Sequence, residues 1–191
     1  MAAPPPRVAG LVLAAGAGRR YGGPKALAEL DGTLFVDRAT TVLAAAGCHP
    51  VLAVLGAAAE EVLARARLTG VTPVHNPDWP TGMGSSLRAG FAALPTDVDA
   101  VVVLPVDLPG ITAEAVRRVL AHASPAALAA ATFHGRRGHP VLFGRAHWAG
   151  AAASATGDAG ARAYLAAHPP LPIPCEDVAE GSDVDTRNPL G

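Results

Sequence analysis

Val8-Ala9-Gly10-Leu11-Val12-Leu13-Ala14-Ala15-Gly16-Ala17-Gly18-Arg19-Arg20-Tyr21-Gly22-Gly23-Pro24-Lys25 is the stretch on which the fold turns. The apolar run from Val8 to Ala14 reads as a strand buried on both faces. A glycine-rich loop with three cations follows it directly. Glycines there let backbone N–H groups turn toward an anion, and Arg19, Arg20 and Lys25 supply positive charge. The loop is not a P-loop, because no Ser or Thr follows Lys25 and the glycine spacing differs. It also fails the dinucleotide fingerprint, since Tyr21 stands at the third glycine position. Taken alone, the segment fits a plain strand-to-helix turn with solvated arginines equally well.

Outward from this stretch, short apolar runs alternate with longer helical patterns. Val51 to Leu55, Val71 to Val74 and Ala100 to Leu104 read as further buried strands. Phe35 to Ala46, Ala58 to Arg67 and Ser85 to Ala93 have helical spacing, with Gly47 and Pro95 as stops. Thr112 is a good N-cap for a fourth helix reaching His122. Such alternation predicts a three-layer, Rossmann-like α/β fold, with a mostly parallel sheet between two helical layers. After Pro125 the pattern changes. Leu128 to Phe133 and Pro140 to Phe143 read as a C-terminal β-hairpin elaboration joined by His134 to Gly138. A helix is expected over Asp158 to His168, then a short extended piece over Leu171 to Pro174, and the Ala-rich run 149–155 fits helix or tight packing. Without repeats or a linker, residues 8–191 form one expected domain behind a disordered tail over residues 1–7.

Bulk composition narrows the function. At 191 residues there is room for one well-buried domain, and with only 4% aromatics the core falls to Ala, Val and Leu. A net charge of −1 gives no reason to expect a nucleic-acid partner or an anionic membrane surface. Any phosphate must therefore be held by a few placed cations and backbone amides. Arg7 and the apolar run behind it mimic a short secretory h-region, but the charged loop from Gly18 to Gly23 is a poor cleavage region. No apolar stretch approaches the roughly 20 residues that span a bilayer. Two cysteines, Cys48 and Cys175, make no disulfide framework, so a reduced, cytoplasmic setting is expected.

Five further segments carry polar chemistry. Leu104-Pro105-Val106-Asp107-Leu108-Pro109 ends the strand Val101-Val102-Val103, and open α/β sheets bind ligands beyond their carboxyl ends. A carboxylate at that position can hold Mg²⁺, a hard cation that prefers oxygen; a turn or N-cap role is the plain alternative. Asn76-Pro77-Asp78-Trp79-Pro80-Thr81-Gly82-Met83-Gly84-Ser85-Ser86 places Ser85 or Ser86 to cap the following helix. Gly138-His139-Pro140-Val141-Leu142-Phe143 and Gly157-Asp158-Ala159-Gly160-Ala161-Arg162 lie in the second half, where His139 is either a ligand group or a packed hairpin histidine. Asp183-Val184-Asp185-Thr186 is either an acidic tail or a second carboxylate source.

These motifs together resemble the nucleotidyltransferases that include the molybdenum-cofactor cytidylyl- and guanylyltransferases. Leu13-Ala14-Ala15-Gly16, Gly18, Arg20, Gly22 and Lys25 look like the family's loop signature, which wraps the triphosphate. Asn76, Gly82, Ser85 and Ser86 match its cytidylyl-type members, and Ala15 leans the same way, toward CTP. Asp107 matches the family's metal-binding Asp-x-Pro. Asp183 and Asp185 match its Asp-x-Asp-Thr-Pro, with Asp185 as the implied second ligand and Asp183 left open. Arg187 replaces the usual proline there, and the family's closing helix is expected to be missing or very short. Gly138, His139 and Asp158 are implied to line the acceptor side.

The resemblance implies a nucleotide-diphospho-sugar transferase-like fold and a Mg²⁺-dependent transfer of a nucleoside monophosphate, CMP favoured, from a nucleoside triphosphate to a small phosphorylated acceptor. Lys25, Arg20 and Asp107 would be the catalytic groups. The implied acceptor is the pterin of the molybdenum cofactor, and the implied downstream partner is a molybdenum enzyme. Three alternatives stay open: a sugar- or polyol-phosphate acceptor, a non-catalytic nucleotide-binding chaperone, and an NAD(P)-dependent oxidoreductase of the nicotine blue reductase type.

Overall fold

The computed structural model describes residues 4–186. In chain order the strands are β1 (Val8–Ala14), β2 (Glu29–Leu30), β3 (Thr33–Leu34), β4 (Val51–Leu55), β5 (Val71–His75), β6 (Ala100–Pro105), β7 (Leu128–Phe133), β8 (Arg136–Gly144) and β9 (Leu171–Pro174). The helices are α1 (Phe35–Ala46), α2 (Ala59–Arg65), α3 (Met83–Ala92), α4 (Ala113–Leu120), α5 (Arg145–Ser154) and α6 (Arg162–Ala167). Seven strands form one sheet in the order β5-β4-β1-β6-β8-β7-β9. Only β8 runs against the others, pairing antiparallel with both β6 and β7. The parallel architecture expected from the apolar runs is therefore present, but β5, expected to be buried, is an edge strand with Thr72, Pro73 and His75 exposed.

Alternation along β1 divides the interior into two cores. Val8, Val12 and Ala14 face the α1 and α4 layer, where Leu43, Val62, Val116 and Val119 are buried. Ala9, Leu11 and Leu13 face the α3 and α5 layer, against Leu87, Phe91 and Phe143. Each fully buried aliphatic side chain contributes about 1.5–3 kcal/mol, and the two aromatic-poor cores rest on many such chains. Helix α1 ends as its sequence dictates, with Gly47 in the left-handed region at φ 105° and its N–H returned to the Ala44 carbonyl. Thr112 caps α4, its hydroxyl accepting from the Ala115 N–H at 3.2 Å.

Several details depart from the expectation. The β7–β8 turn needs only His134 and Gly135, at φ 50° and 75°, so β8 begins at Arg136 rather than Pro140. Both turn residues take the left-handed geometry that matches strand twist. The hairpin is part of the main sheet, not an appendage. The helix expected over 158–168 is broken into a 3₁₀ turn at Gly157–Ala159 and the shorter α6, because Gly160 turns to φ 52° between them. The Ala-rich run falls in α5 and just beyond it, and Leu171–Pro174 pairs parallel with β7. A small β2–β3 hairpin across Asp31-Gly32 was not anticipated. Of the expected N-terminal tail, Arg7 donates its backbone N–H to Asp99 and makes an ion pair with Asp97. The expectation about a closing helix beyond residue 186 lies outside the described residues.

Candidate active site

Topology gathers the predicted residues at one end of the sheet. The loops after β1, β5 and β6 all leave from carboxyl ends of parallel strands. Because β8 runs the other way, its early residues Gly138 and His139 come to the same end, beside β6. The loop after β1 is folded tightly on itself. The Gly18 carbonyl accepts from the N–H groups of Gly22 (2.9 Å) and Gly23 (3.1 Å). Gly18 sits at φ 57°, and a Cβ there would lie 1.9 Å from the Gly23 carbonyl oxygen. No other residue type fits without opening the turn.

This turn carries the chain on to Lys25, beside the end of β6. Its ammonium donates to Asp107 Oδ2 at 2.9 Å and to Asp185 Oδ1 at 3.1 Å. Arg20 approaches Asp185 at 3.9 Å from an exposed position. The C-terminal segment reaches the site by backbone pairing, the Val184 N–H donating to the Asp107 carbonyl at 3.0 Å. Carboxylate oxygens of Asp107, Asp183 and Asp185 consequently lie within 4.8 Å of one another. Burial works to lower the Lys25 pKa, but hydrogen bonds and charge from Asp107 and then Asp185 outweigh it, and the net shift is upward. The same contact with Lys25 holds the Asp185 carboxyl below its usual range. Three carboxylates so close suit a divalent cation that takes oxygen ligands, and either Asp183 or Asp185 can partner Asp107 in holding it.

Beside this cluster lies a cavity of about 390 Å³. Asp107 and Asp183 border it together with Gly138, His139 and Asp158, the three residues expected on the acceptor side. Leu13, Val103, Phe143 and Leu165 give it an apolar floor, while Arg137 and Arg162 add cations. Burial is the chief reason that the His139 pKa is pushed down to about 4, with the Asp107 charge opposing and Arg137 reinforcing it. At neutral pH this imidazole is a hydrogen-bonding group, not a cation. Arg137 and Arg162 were given no role from the sequence, although each stands in a segment singled out for other residues. Their signal was adjacency: Arg137 precedes Gly138, and Arg162 ends the run that begins at Gly157.

Other predicted residues act from inside. Leu13, Ala14 and Ala15 are buried, and the Leu13 and Ala15 carbonyls accept from Val106 and Ala57. Gly16 and Gly22 are exposed on the loop. The expected capping by Ser85 or Ser86 is not what forms. Helix α3 begins at Met83 with Gly82 as its N-cap, so both serines lie within the first turn. The Asn76 amide donates to Ser85 Oγ (2.9 Å) and Ser86 Oγ (3.0 Å), while its oxygen accepts from the Asp78 N–H. All three side chains are buried, and Ser85 donates within its own loop. Gly82, at φ 112°, is pressed against the Gly157 backbone, where a Cβ would lie 2.4 Å from the carbonyl carbon. This network shapes the loop that borders the cavity through Met83.

An open, mostly parallel sheet with a carboxylate–lysine cluster at its carboxyl end defines a class of α/β phosphate-handling proteins. Within that class, the chain belongs to the family of MobA-like NTP transferase domains, whose model matches residues 10–171. Nicotine blue oxidoreductase of Paenarthrobacter nicotinovorans is 42% identical over 191 residues, covering 95% of this chain and 93% of that protein. The crystal structure of the Mycobacterium tuberculosis rv0371c homologue from Mycobacterium sp. strain JC1 is similar at 30% identity and a TM-score of 0.82, covering 94% of this chain and 91% of that one. Rv0371c from Mycobacterium tuberculosis H37Rv, solved as a complex with manganese, is similar at 25% identity and a TM-score of 0.74, covering 88% and 86%. The fold is that of the nucleotide-diphospho-sugar transferases, as expected from the sequence. Among the described residues, no helix is long and apolar enough to cross a membrane.

Proposed function

We propose that the protein is a magnesium-dependent nucleotidyltransferase that moves a nucleoside monophosphate, CMP favoured, from a nucleoside triphosphate to a small phosphorylated acceptor. The observation that carries this reading is the meeting of Lys25 with Asp107 and Asp185 beside the acceptor-sized cavity. The pterin of the molybdenum cofactor is the favoured acceptor, with a molybdenum enzyme as the recipient of the product. A sugar or polyol phosphate would meet the same cations.

An acceptor phosphate oxygen attacks the α-phosphorus, the bond to the β-phosphate oxygen breaks, and pyrophosphate leaves. The attacking oxygen is already ionised at neutral pH, so no strong general base is required. Lys25 has three N–H donors, two of them directed at Asp107 and Asp185, which leaves one for a phosphate oxygen. Arg20, exposed beside Asp185, adds a second cation. Backbone N–H groups of the loop between Gly16 and Gly22 orient the triphosphate. Arg137, Arg162 and neutral His139 hold the acceptor in line. Asp107 with Asp185 or Asp183 would hold a magnesium ion, which would supply charge neutralisation to the bound triphosphate. A manganese complex of a relative supports the use of a divalent ion.

The test is a panel of the four ribonucleoside triphosphates with magnesium and candidate acceptors, scored by pyrophosphate release. Turnover is expected with CTP above the others. Asp107→Ala should lower it by about 100-fold or more while leaving circular dichroism unchanged; near-normal turnover in that variant refutes the metal role.

One observation favours a second reading. The 42% identity extends over nearly the whole of a protein named nicotine blue oxidoreductase. A reductase would bind NADPH, yet Tyr21 occupies the third glycine position of the dinucleotide fingerprint. Melting curves with NADPH alone and with CTP plus magnesium separate the two. Ligand at 100 times its Kd adds about 2.7 kcal/mol. A rise with NADPH only, followed by dye reduction, would transfer the assignment.

A further inference from the structure

On the opposite side of the β6 end from the acceptor cavity, a second cleft of about 290 Å³ opens between α1 and the turn that carries Asp107. Its walls are mostly apolar, with Phe35, Ala39, Val42, Val106, Pro109 and Ile111 among them, and Thr33 and Thr41 add two hydroxyls. Arg38 is the one charged residue that lines it. The Arg38 Nε is shut off from solvent and has no hydrogen-bond partner, alone in that condition among the buried side-chain nitrogens and oxygens of the described residues. Arg38 itself is half-buried and makes no ion pair or hydrogen bond among the described residues, so an anion in the cleft would meet its outer guanidinium nitrogens and not the sealed Nε. The turn above connects the two cavities: Leu108 borders both, and Val106 and Leu108 flank Asp107 in the chain.

We propose that this cleft is a second binding site, for a small organic monoanion with a carboxylate on Arg38 and an aryl or alkyl body between α1 and the Asp107 turn. Guanidinium and carboxylate are geometrically matched, and their pairing can be bidentate. The volume lies at the lower edge of the roughly 300–1,000 Å³ usual for small-molecule sites, which favours a body no larger than a phenyl ring with a short chain. The site is separate from the one read as a transferase centre and stands whether or not that reading does. Because the occupant packs on Val106 and Leu108, it biases the position of Asp107 and so couples to divalent-ion binding there.

The probe is 4-phenylbutyrate, with 4-phenyl-1-butanol as its uncharged counterpart, followed by ligand-observed NMR on the full-length protein. The acid is expected to bind at least tenfold more tightly than the alcohol and to show intermolecular NOEs to Val42 and Ile111 methyls. Arg38→Met should abolish the preference for the acid while leaving the Mn²⁺ affinity of the ligand-free protein within twofold of wild type. Val42→Trp, which fills the cleft from the other wall, should block both compounds, so the proposal does not hang on one variant's folding. Saturating acid should shift the Mn²⁺ Kd by at least threefold. Equal binding of acid and alcohol, an acid preference retained in Arg38→Met, or competition between the acid and CTP in metal-free buffer overturns the site. An unchanged Mn²⁺ affinity overturns the coupling.

Discussion

Single side chains in this molecule are set by what surrounds them more than by their type. His139 shows it most clearly. The folded chain holds its pKa at about 4, against about 6.5 in an unfolded chain. A depressed folded value means that the unfolded state takes up the proton first as pH falls. Stability is therefore whole above about 6.5 and declines through the window down to about 4. Between pH 7 and 4.5 the expected loss from this residue is roughly 2–3 kcal/mol. Urea midpoints for wild type and His139→Gln at those two pH values check it: the wild type should lose more, and parallel losses would refute the shift. Asp107 and Lys25 were legible in the sequence because each sits beside a strong strand signal. Asp185 was reached only through the family resemblance, since nothing local tells an acidic tail from a ligand. Arg38 gave no signal at all, because an arginine at one helix position looks solvated until the neighbouring turn is in place.

Among elements, the loop after β1 separates two kinds of glycine. Gly18 is sterically required, with φ 57° and the Gly23 carbonyl oxygen 1.9 Å from any Cβ, whereas a Cβ on Gly16 would meet nothing within 4 Å. Gly18→Ala is expected to open the turn and displace Lys25, costing about 1–3 kcal/mol of stability together with triphosphate affinity. Gly16→Ala should fold like the wild type, so any affinity it loses reports contact with the nucleotide itself. Thermal melts paired with a CTP titration distinguish the two. The major strands and α1 could be read in advance because buried parallel strands are continuous apolar runs and α1 has a clean glycine stop. The misreadings share a cause. Ser85, Ser86 and the 158–168 segment were judged by local preference, but Gly82 pressed on Gly157, and Gly160 at φ 52°, decide where those helices begin.

Across the whole molecule, the site depends on a segment that belongs to no strand or helix. Residues beyond β9 return across the sheet end, held by Thr112 donating to the Val178 carbonyl, by Glu180 donating to Gly110, and by Val184 donating to Asp107. A chain ending at Gly181 keeps every strand and helix of the described residues but lacks Asp183 and Asp185. It should remain folded by circular dichroism and lose Mn²⁺ binding in calorimetry by at least tenfold, an order of magnitude fitting the loss of charged ligands; undiminished binding would assign the ion to other groups. The sheet order was not legible beyond the parallel half, because nothing in an apolar run says that β8 will wedge between β6 and β7. That return segment also has a bearing on biosynthesis. While the ribosome still shelters residues 183–185, the emerging domain can close its two cores but has one carboxylate where it needs several, so a nascent chain stays unable to capture an ion until those residues have emerged.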